Sequence, residues 1–141
     1  LYTQQTDYEK ALIYIKKALT IQKELHDTQG IVYSLANIAT VYDKQGNYQL
    51  AVDYYKKALL WEDVISPKQR ANIQSNLGFA YMKQDKYDSA KVYFQIARQK
   101  LEESEDNYNL AYTYDGLAKL SMRQNQYKEA VEYAQKGMAL A

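Results

Sequence analysis

Lysine beside tyrosine is the first chemistry this chain offers. In KQGNYQLAVDYYKKAL (44–59), Tyr48, Tyr54 and Tyr55 lie close in sequence to Lys44, Lys56 and Lys57. An ammonium over an aromatic face is a cation–π pair, and a row of them could grip an anionic, ring-bearing ligand such as single-stranded nucleic acid. Other chemistries find little material. His26 is the only histidine and cysteine is absent, so a triad, a thiolate metal site or a relay of several imidazoles is excluded. Asp and Glu are plentiful but form no pair distinct from a solvated helix face. No glycine-rich phosphate loop or nucleophile elbow is present. Catalysis, a cofactor and a metal are therefore not expected.

The lysine–tyrosine row does not survive helical geometry. At 100° per residue, Tyr48, Ala51, Val52, Tyr55, Ala58 and Leu59 share one broad face with Tyr54 at its margin. Gln49, Asp53, Lys56 and Lys57 take the other. Lys16-Lys17 and Lys56-Lys57 become Gln95-Ile96 and Gln135-Lys136 in later copies, so no basic stripe persists. With Lys+Arg at 18 and Asp+Glu at 17, the net charge is +1, giving no global attraction to nucleic acid or anionic membrane. No nucleic-acid partner is expected. There is also no apolar run near the ~20 residues of a membrane span, and LYTQQTDYEK reads as no signal peptide. The compartment stays open between cytoplasm and periplasm.

The elements that carry these residues repeat. DYEKALIYIKKAL (7–19), NYQLAVDYYKKAL (47–59), KYDSAKVYFQIAR (86–98) and QYKEAVEYAQKGM (126–138) align without gaps. Ala11, Ala51, Ala90 and Ala130 coincide at spacings of 40, 39 and 40 residues. Between them, segments 31–45, 70–84 and 110–124 also fall in register, each preceded by an N-cap candidate: Asp27, Ser66 and Asp106. Ser66-Pro67-Lys68-Gln69 has the form of a capping box with proline at the first helical position. Helices are expected near 7–25, 29–44, 47–62, 67–83, 86–102, 107–123 and 126–140. Alanine or glycine at the crossings lets helices approach closely, and tyrosine suits the edge of a thin stack, ring buried and hydroxyl outward. Five tyrosines fall outside the recurrent columns: Tyr2, Tyr33, Tyr108, Tyr112 and Tyr114.

This pattern resembles the tetratricopeptide repeat family. It is carried by the leucine–small–tyrosine signature of Leu77, Gly78 and Tyr81, and by Ala51, Tyr55, Ala58 and Ala90, Phe94, Ala97 in the second helices. The resemblance covers essentially the whole chain, with a period near 40 instead of the family's usual 34. It implies an all-α fold, an α-solenoid of antiparallel helix pairs in a right-handed superhelix with about seven helices. The expected domain is 1–141, with a half repeat at 1–26 and repeats at 27–65, 66–105 and 106–141, read as a fragment of a longer array. Ser121, Ala134 and Gly137 stand where larger residues are expected, which predicts looser packing in the last repeat. The wording DYEKAL…KELHDTQGIVYSLANIATVY is similar to repeat arrays of Bacteroidetes-type signalling proteins.

In this family the first helix of each pair lines a concave groove, so the resemblance implies groove positions. They are Tyr33, Asn37 and Thr40; Asn72, Asn76 and Phe79; and Tyr112, Asp115 and Lys119. Asn37 and Asn76 immediately precede the small-residue signature, and related long-period arrays use such asparagines to hold an extended peptide. An amide donates to a carbonyl and accepts from an N–H, so it holds a backbone without reading its sequence; the alternative is a bond that stabilises stacking. Gly116 breaks the asparagine ladder. The implied partner is a protein or peptide. The competing reading is a spacer or sensor segment that self-associates through uncapped ends, with Leu12, Ile15 and Leu19 as an open apolar stripe.

Overall fold

The computed structural model describes residues 2–140, with side chains from residue 5 onward. Seven α-helices follow in order: α1 Tyr2–Glu24, α2 Thr28–Lys44, α3 Tyr48–Leu59, α4 Pro67–Lys83, α5 Tyr87–Glu103, α6 Asn107–Arg123 and α7 Tyr127–Ala139. No strand occurs among the described residues, so the fold is all-α, as the repeat predicts. Residues 1–65 and 66–141 form two compact units. In the first, α2 packs against α1 and α3; in the second, α4 packs on α5, α5 and α4 on α6, and α6 on α7.

The N-caps are where the sequence places them. Asp27 accepts from the Gly30 N–H (3.0 Å) and Asp106 from the Asn109 N–H (3.2 Å). Ser66 and Gln69 complete a reciprocal capping box, at 3.1 and 3.0 Å. Helix ends differ from expectation in two places. α1 begins at Tyr2 instead of 7, because YTQQTD contains no glycine or proline to interrupt it. α3 stops at Leu59 instead of 62: the N–H groups of Leu60 and Trp61 reach back three residues, to Lys57 and Ala58, which tightens the last turn. Ser66, extended at φ −67°, ψ 157°, then leads into Pro67. The intervening turn is tied to α2 by Gln29, whose side-chain N–H donates to the Val64 carbonyl (2.5 Å).

Five helices end in one motif. The chain turns left-handed at His26 (φ 55°), Gly46 (84°), Asp85 (59°), Glu105 (56°) and Asn125 (61°). After each, an N–H reaches back to the helix, as from Asp27 to the Gln22 carbonyl (2.9 Å) and from Gln126 to the Ser121 carbonyl (2.8 Å). This Schellman closure satisfies carbonyls that the helix end leaves orphaned. Tyr87 and Tyr127 add to it, donating to Asp85 (3.1 Å) and Asn125 (2.9 Å) of the turn just before them.

The cores follow the repeat columns. Ala39, Ala51, Ala58, Ala80, Ala90 and Ala97 are fully buried. Tyr42 stacks on Tyr54 (5.6 Å between ring centres) and Tyr81 on Tyr93 (5.7 Å), so two tyrosine columns pair along the helix seams. Gly78 and Gly116 both face Phe94: a Cβ on either would lie 2.7 or 2.5 Å from its ring. α7 buries only Ala130 among its described residues, whereas α5 buries Ala90, Phe94, Ala97 and Leu101. The expected open stripe on α1 is corrected. Leu19 is buried and Leu12 and Ile15 are half-buried, while Ile13, Tyr14, Ile21 and Leu25 are the exposed apolar side chains. α2 already covers the face that carries Leu19.

Candidate binding site

The sequence-derived groove residues fall on the first helix of each pair, and each unit holds its own set. On α2, Tyr33 is exposed, while Asn37 and Thr40 are half-buried. The Thr40 hydroxyl lies 3.0 Å from the Ala36 carbonyl and 3.1 Å from the Tyr55 hydroxyl, so it joins α2 to α3. No hydrogen bond of the Asn37 amide occurs among the described residues.

In the second unit the set becomes a connected cluster across α4 and α6. The Tyr112 hydroxyl donates to Asn76 Oδ1 at 2.7 Å. Phe79 lies under Tyr112 (4.8 Å between ring centres, 35° between planes) and meets Phe94 edge-on at 5.0 Å. Beside it, the buried hydroxyls of Ser75 and Thr113 join α4 to α6 at 2.7 Å. Gly116 breaks the asparagine ladder because the Phe94 and Phe79 rings already occupy the space a side chain would need. Asn72 is exposed on the same face of α4. Asp115 and Lys119 pair with each other at 2.8 Å, a solvated i,i+4 contact. The result is an aromatic shelf of Phe79 and Tyr112 with one amide at its edge. Asn76 Oδ1 is engaged by Tyr112, so its N–H groups are what the amide offers outward.

Of the five tyrosines outside the columns, Tyr33 and Tyr108 are exposed and Tyr112 belongs to the shelf. The Tyr2 side chain lies outside the described residues. Tyr114 is buried and structural: its hydroxyl donates to Glu102 Oε1 at 2.5 Å, and Arg98 grips the same carboxylate through two contacts of 3.0 Å. The Tyr114 hydroxyl and then Arg98 hold the Glu102 carboxyl below its ordinary value. Burial, then the bond to Glu102, pushes the Tyr114 phenol up to about 12. Sequence reasoning missed this cluster because Tyr114 is on α6 and its partners Glu102 and Arg98 are on α5.

It also missed a cleft of about 320 Å³ in the first unit, lined by Leu19, Lys23, Leu35, Tyr54, Lys57 and Trp61 among others. Lys57 stands 4.4 Å from the centre of the Tyr54 ring. The pairing of lysine with tyrosine therefore does exist, with Lys16 over Tyr42 at 5.7 Å beside it, across a helix seam and not as a stripe along one helix. Among the described residues no helix is long and apolar enough to cross a membrane.

The tetratricopeptide repeat family profile matches residues 1–59 and 69–141. Over 51 residues the chain is 39% identical to response regulator aspartate phosphatase H of Bacillus subtilis (strain 168), covering 36% of this chain and 14% of that protein. Among solved structures, BtubC (BKLC) from P. vanneervenii superposes with a TM-score of 0.86 at 21% identity, over 98% of this chain and 57% of that one. The apo form of RapI superposes at 0.72 and 21% identity, over 96% and 62%. The chain thus spans less than two thirds of the length of each of these proteins. The two structural likenesses establish the fold, a helical repeat array. Repeats of this type are protein-interaction scaffolds, generally without a catalytic role of their own. The chain belongs to the tetratricopeptide repeat family.

Proposed function

We propose that this chain is a non-catalytic scaffold whose first helices receive an extended peptide of a partner protein, with the α4–α6 shelf as the principal contact. The observation that carries this is the Tyr112–Asn76 bond. It occupies the amide oxygen and leaves the N–H groups to donate to a peptide carbonyl, while Phe79 and Tyr112 offer an apolar platform for the adjacent side chain. Asn72, Asp115 and Lys119 serve as flanking contacts in the second unit, and Asn37, Thr40 and Tyr33 on α2 are the corresponding contacts of the first unit taken by itself. A neutral hydrogen bond contributes only about 0.5–1.5 kcal/mol net, so affinity for a short linear peptide falls near micromolar. The near-zero net charge supports a protein partner over nucleic acid. The match to a response regulator phosphatase supports a setting in signalling. The repeat boundaries at 26/27, 65/66 and 105/106 belong to the same reading, and the split into compact units after residue 65 is support for one of them.

Phage-display selection of random peptides on the protein, followed by calorimetry of the selected peptide, tests this reading. Asn76→Ala and Phe79→Ala should each weaken binding about fivefold or more, with the helical melt of Asn76→Ala within about 1 kcal/mol of the parent. Unchanged affinity in both variants would sink the groove. A self-associating spacer is the second reading, favoured by exposed Ile13, Tyr14 and Ile21 on α1, Leu25 just after it, and Val131 and Met138 on α7. Light scattering on a size-exclusion column decides it: a monomer at high concentration removes it.

A further inference from the structure

A shift of 79 residues carries α1, α2 and α3 onto α5, α6 and α7. It carries Leu19, Lys23, Leu35, Tyr54 and Lys57 onto Arg98, Glu102, Tyr114, Tyr133 and Lys136. In the second unit these positions form a hydrogen-bonded cluster around an exposed carboxylate. Glu102 accepts from Tyr114 (2.5 Å) and from Arg98 (3.0 Å), and Lys136 lies 6.0 and 5.9 Å from the Tyr114 and Tyr133 ring centres. In the first unit the aromatic ring and one lysine remain as Tyr54 and Lys57, 4.4 Å apart. The carboxylate has become an ammonium at Lys23. The two groups that fixed it have become Leu19 and Leu35, and the space stands open as the cleft of about 320 Å³. Its floor is aliphatic and aromatic, Trp61 forms one wall, and its two charged lining residues are both cations. Neither Lys23 nor Lys57 is in an ion pair among the described residues.

We infer that the cleft between α1 and α3 is a second docking site, which takes a partner segment presenting an Asp or Glu carboxylate next to a large apolar side chain. The second unit supplies that carboxylate from its own chain; the first is built to receive one. The volume admits one or two side chains, at the lower end of ligand clefts. Two exposed lysines give specificity for charge more than affinity, while burial of the apolar side chain against Leu19, Leu35 and Trp61 supplies most of the driving force. This site is independent of the α4–α6 shelf. On α2 itself, Ile31 and Leu35 point to a different face from Tyr33 and Asn37, each lying two residues along and so roughly half a turn around the helix.

Trp61 is the only tryptophan in the chain, so its emission reports on this cleft alone. The full protein is titrated with Ac-Glu-Leu-Leu-Glu-NH2, with Ac-Lys-Leu-Leu-Lys-NH2 and with decanoate. The acidic peptide is expected to shift Trp61 emission saturably and the basic one to bind at least tenfold more weakly. Lys23→Glu with Lys57→Glu should weaken the acidic peptide about tenfold or more. Leu19→Arg, Lys23→Glu and Leu35→Tyr together, which transplant the second unit's cluster, should abolish the response while circular dichroism still reports a cooperative helical melt. If that triple variant does not fold, the lysine pair alone decides the question. No response up to millimolar acidic peptide, equal response to both peptides, or unchanged affinity in the lysine variant overturns the proposal. Response to decanoate without response to the acidic peptide also overturns it, in favour of a lipid-like carboxylate. Asn76→Ala should leave this binding intact, which separates it from failure at the shelf.

Discussion

The two units share a backbone but fill it differently, and the differences come in matched sets. At positions related by 79 residues, the first unit has Ile15 and Asn37 where the second has Phe94 and Gly116. Phe94 is completely buried and its ring sits where a Gly116 side chain would begin. The larger ring on the second helix is possible only with the smallest residue on the first, and the smaller isoleucine leaves room for an amide. The other set behaves alike: Arg98, Glu102 and Tyr114 bond to one another, and Leu19, Lys23 and Leu35 line an open cleft. Groups in contact change together, so function in such an array is written in sets and not in single columns.

The strongest way to break this comparison is at Phe94. Phe94→Ala should cost about 3–5 kcal/mol, since the side chain is fully enclosed. Gly116→Asn alone, which imposes the first unit's amide on the second, should cost about 1–3 kcal/mol through overpacking. Phe94→Ile with Gly116→Asn reproduces the first unit's pair and should recover more than half of the summed losses. Chemical denaturation of the parent, Phe94→Ile, Gly116→Asn and the double variant forms the double-mutant cycle, and strict additivity would show that the two positions are not coupled.

The Glu102 cluster is the next test, and pH gives it a sign. Tyr114→Phe removes a hydrogen bond to a charged group and should cost about 1–2 kcal/mol at neutral pH. The Tyr114 phenol titrates near 12 in the folded chain and near its ordinary 10 when unfolded. Its contribution is therefore complete below pH 10 and disappears as pH rises from 10 towards 12. Glu102 is held low, so its contribution is present above its ordinary value of 4.5 and is lost as pH falls through the depressed folded value. Tyr114→Phe should flatten the alkaline loss relative to the parent, while the buried Tyr55, also raised, retains its share in the first unit. An alkaline melting profile identical in parent and variant would remove Tyr114 from this role.

What was legible in the sequence follows the range of the forces involved. The N-caps at Asp27, Ser66 and Asp106 were readable because a cap and the N–H group that donates to it lie within three residues. Helix number and core columns were readable because the repeat restates the second helix four times and the first three times. The proposed groove residues lie on α2, α4 and α6, but sequence said nothing of the Tyr112–Asn76 bond, which spans 36 residues, or of Thr40 reaching Tyr55. Tyr114 looked like a free tyrosine because its partners, Glu102 and Tyr133, sit on the preceding and following helices. The cleft was invisible for the same reason: its lysines are on α1 and α3 and its tryptophan is in the turn beyond. Contacts between helices carry no periodic signal of their own.

The smallest expected effect lies in the turns, where the comparison is cleanest. His26 and Glu105 are related by the same 79 residues and hold the same left-handed backbone, φ 55° and 56°. Both close a second helix onto a following aspartate cap, at Asp27 and Asp106. A side chain in this conformation costs about 1–2 kcal/mol, and glycine relieves it while adding about 0.5–1 kcal/mol of unfolded-chain freedom. His26→Gly and Glu105→Gly should therefore each stabilise by no more than about 1 kcal/mol, raising the melting temperature by about 1–4 °C. Gly46, at φ 84° with no atom within 4 Å of a notional Cβ, is the converse: Gly46→Ala should lose stability through backbone strain alone. Gains at 26 and 105 that match within error would mean that the turn itself sets the cost; a larger gain at one would trace to its side chain. Thermal melts of the two single variants at neutral pH distinguish these outcomes.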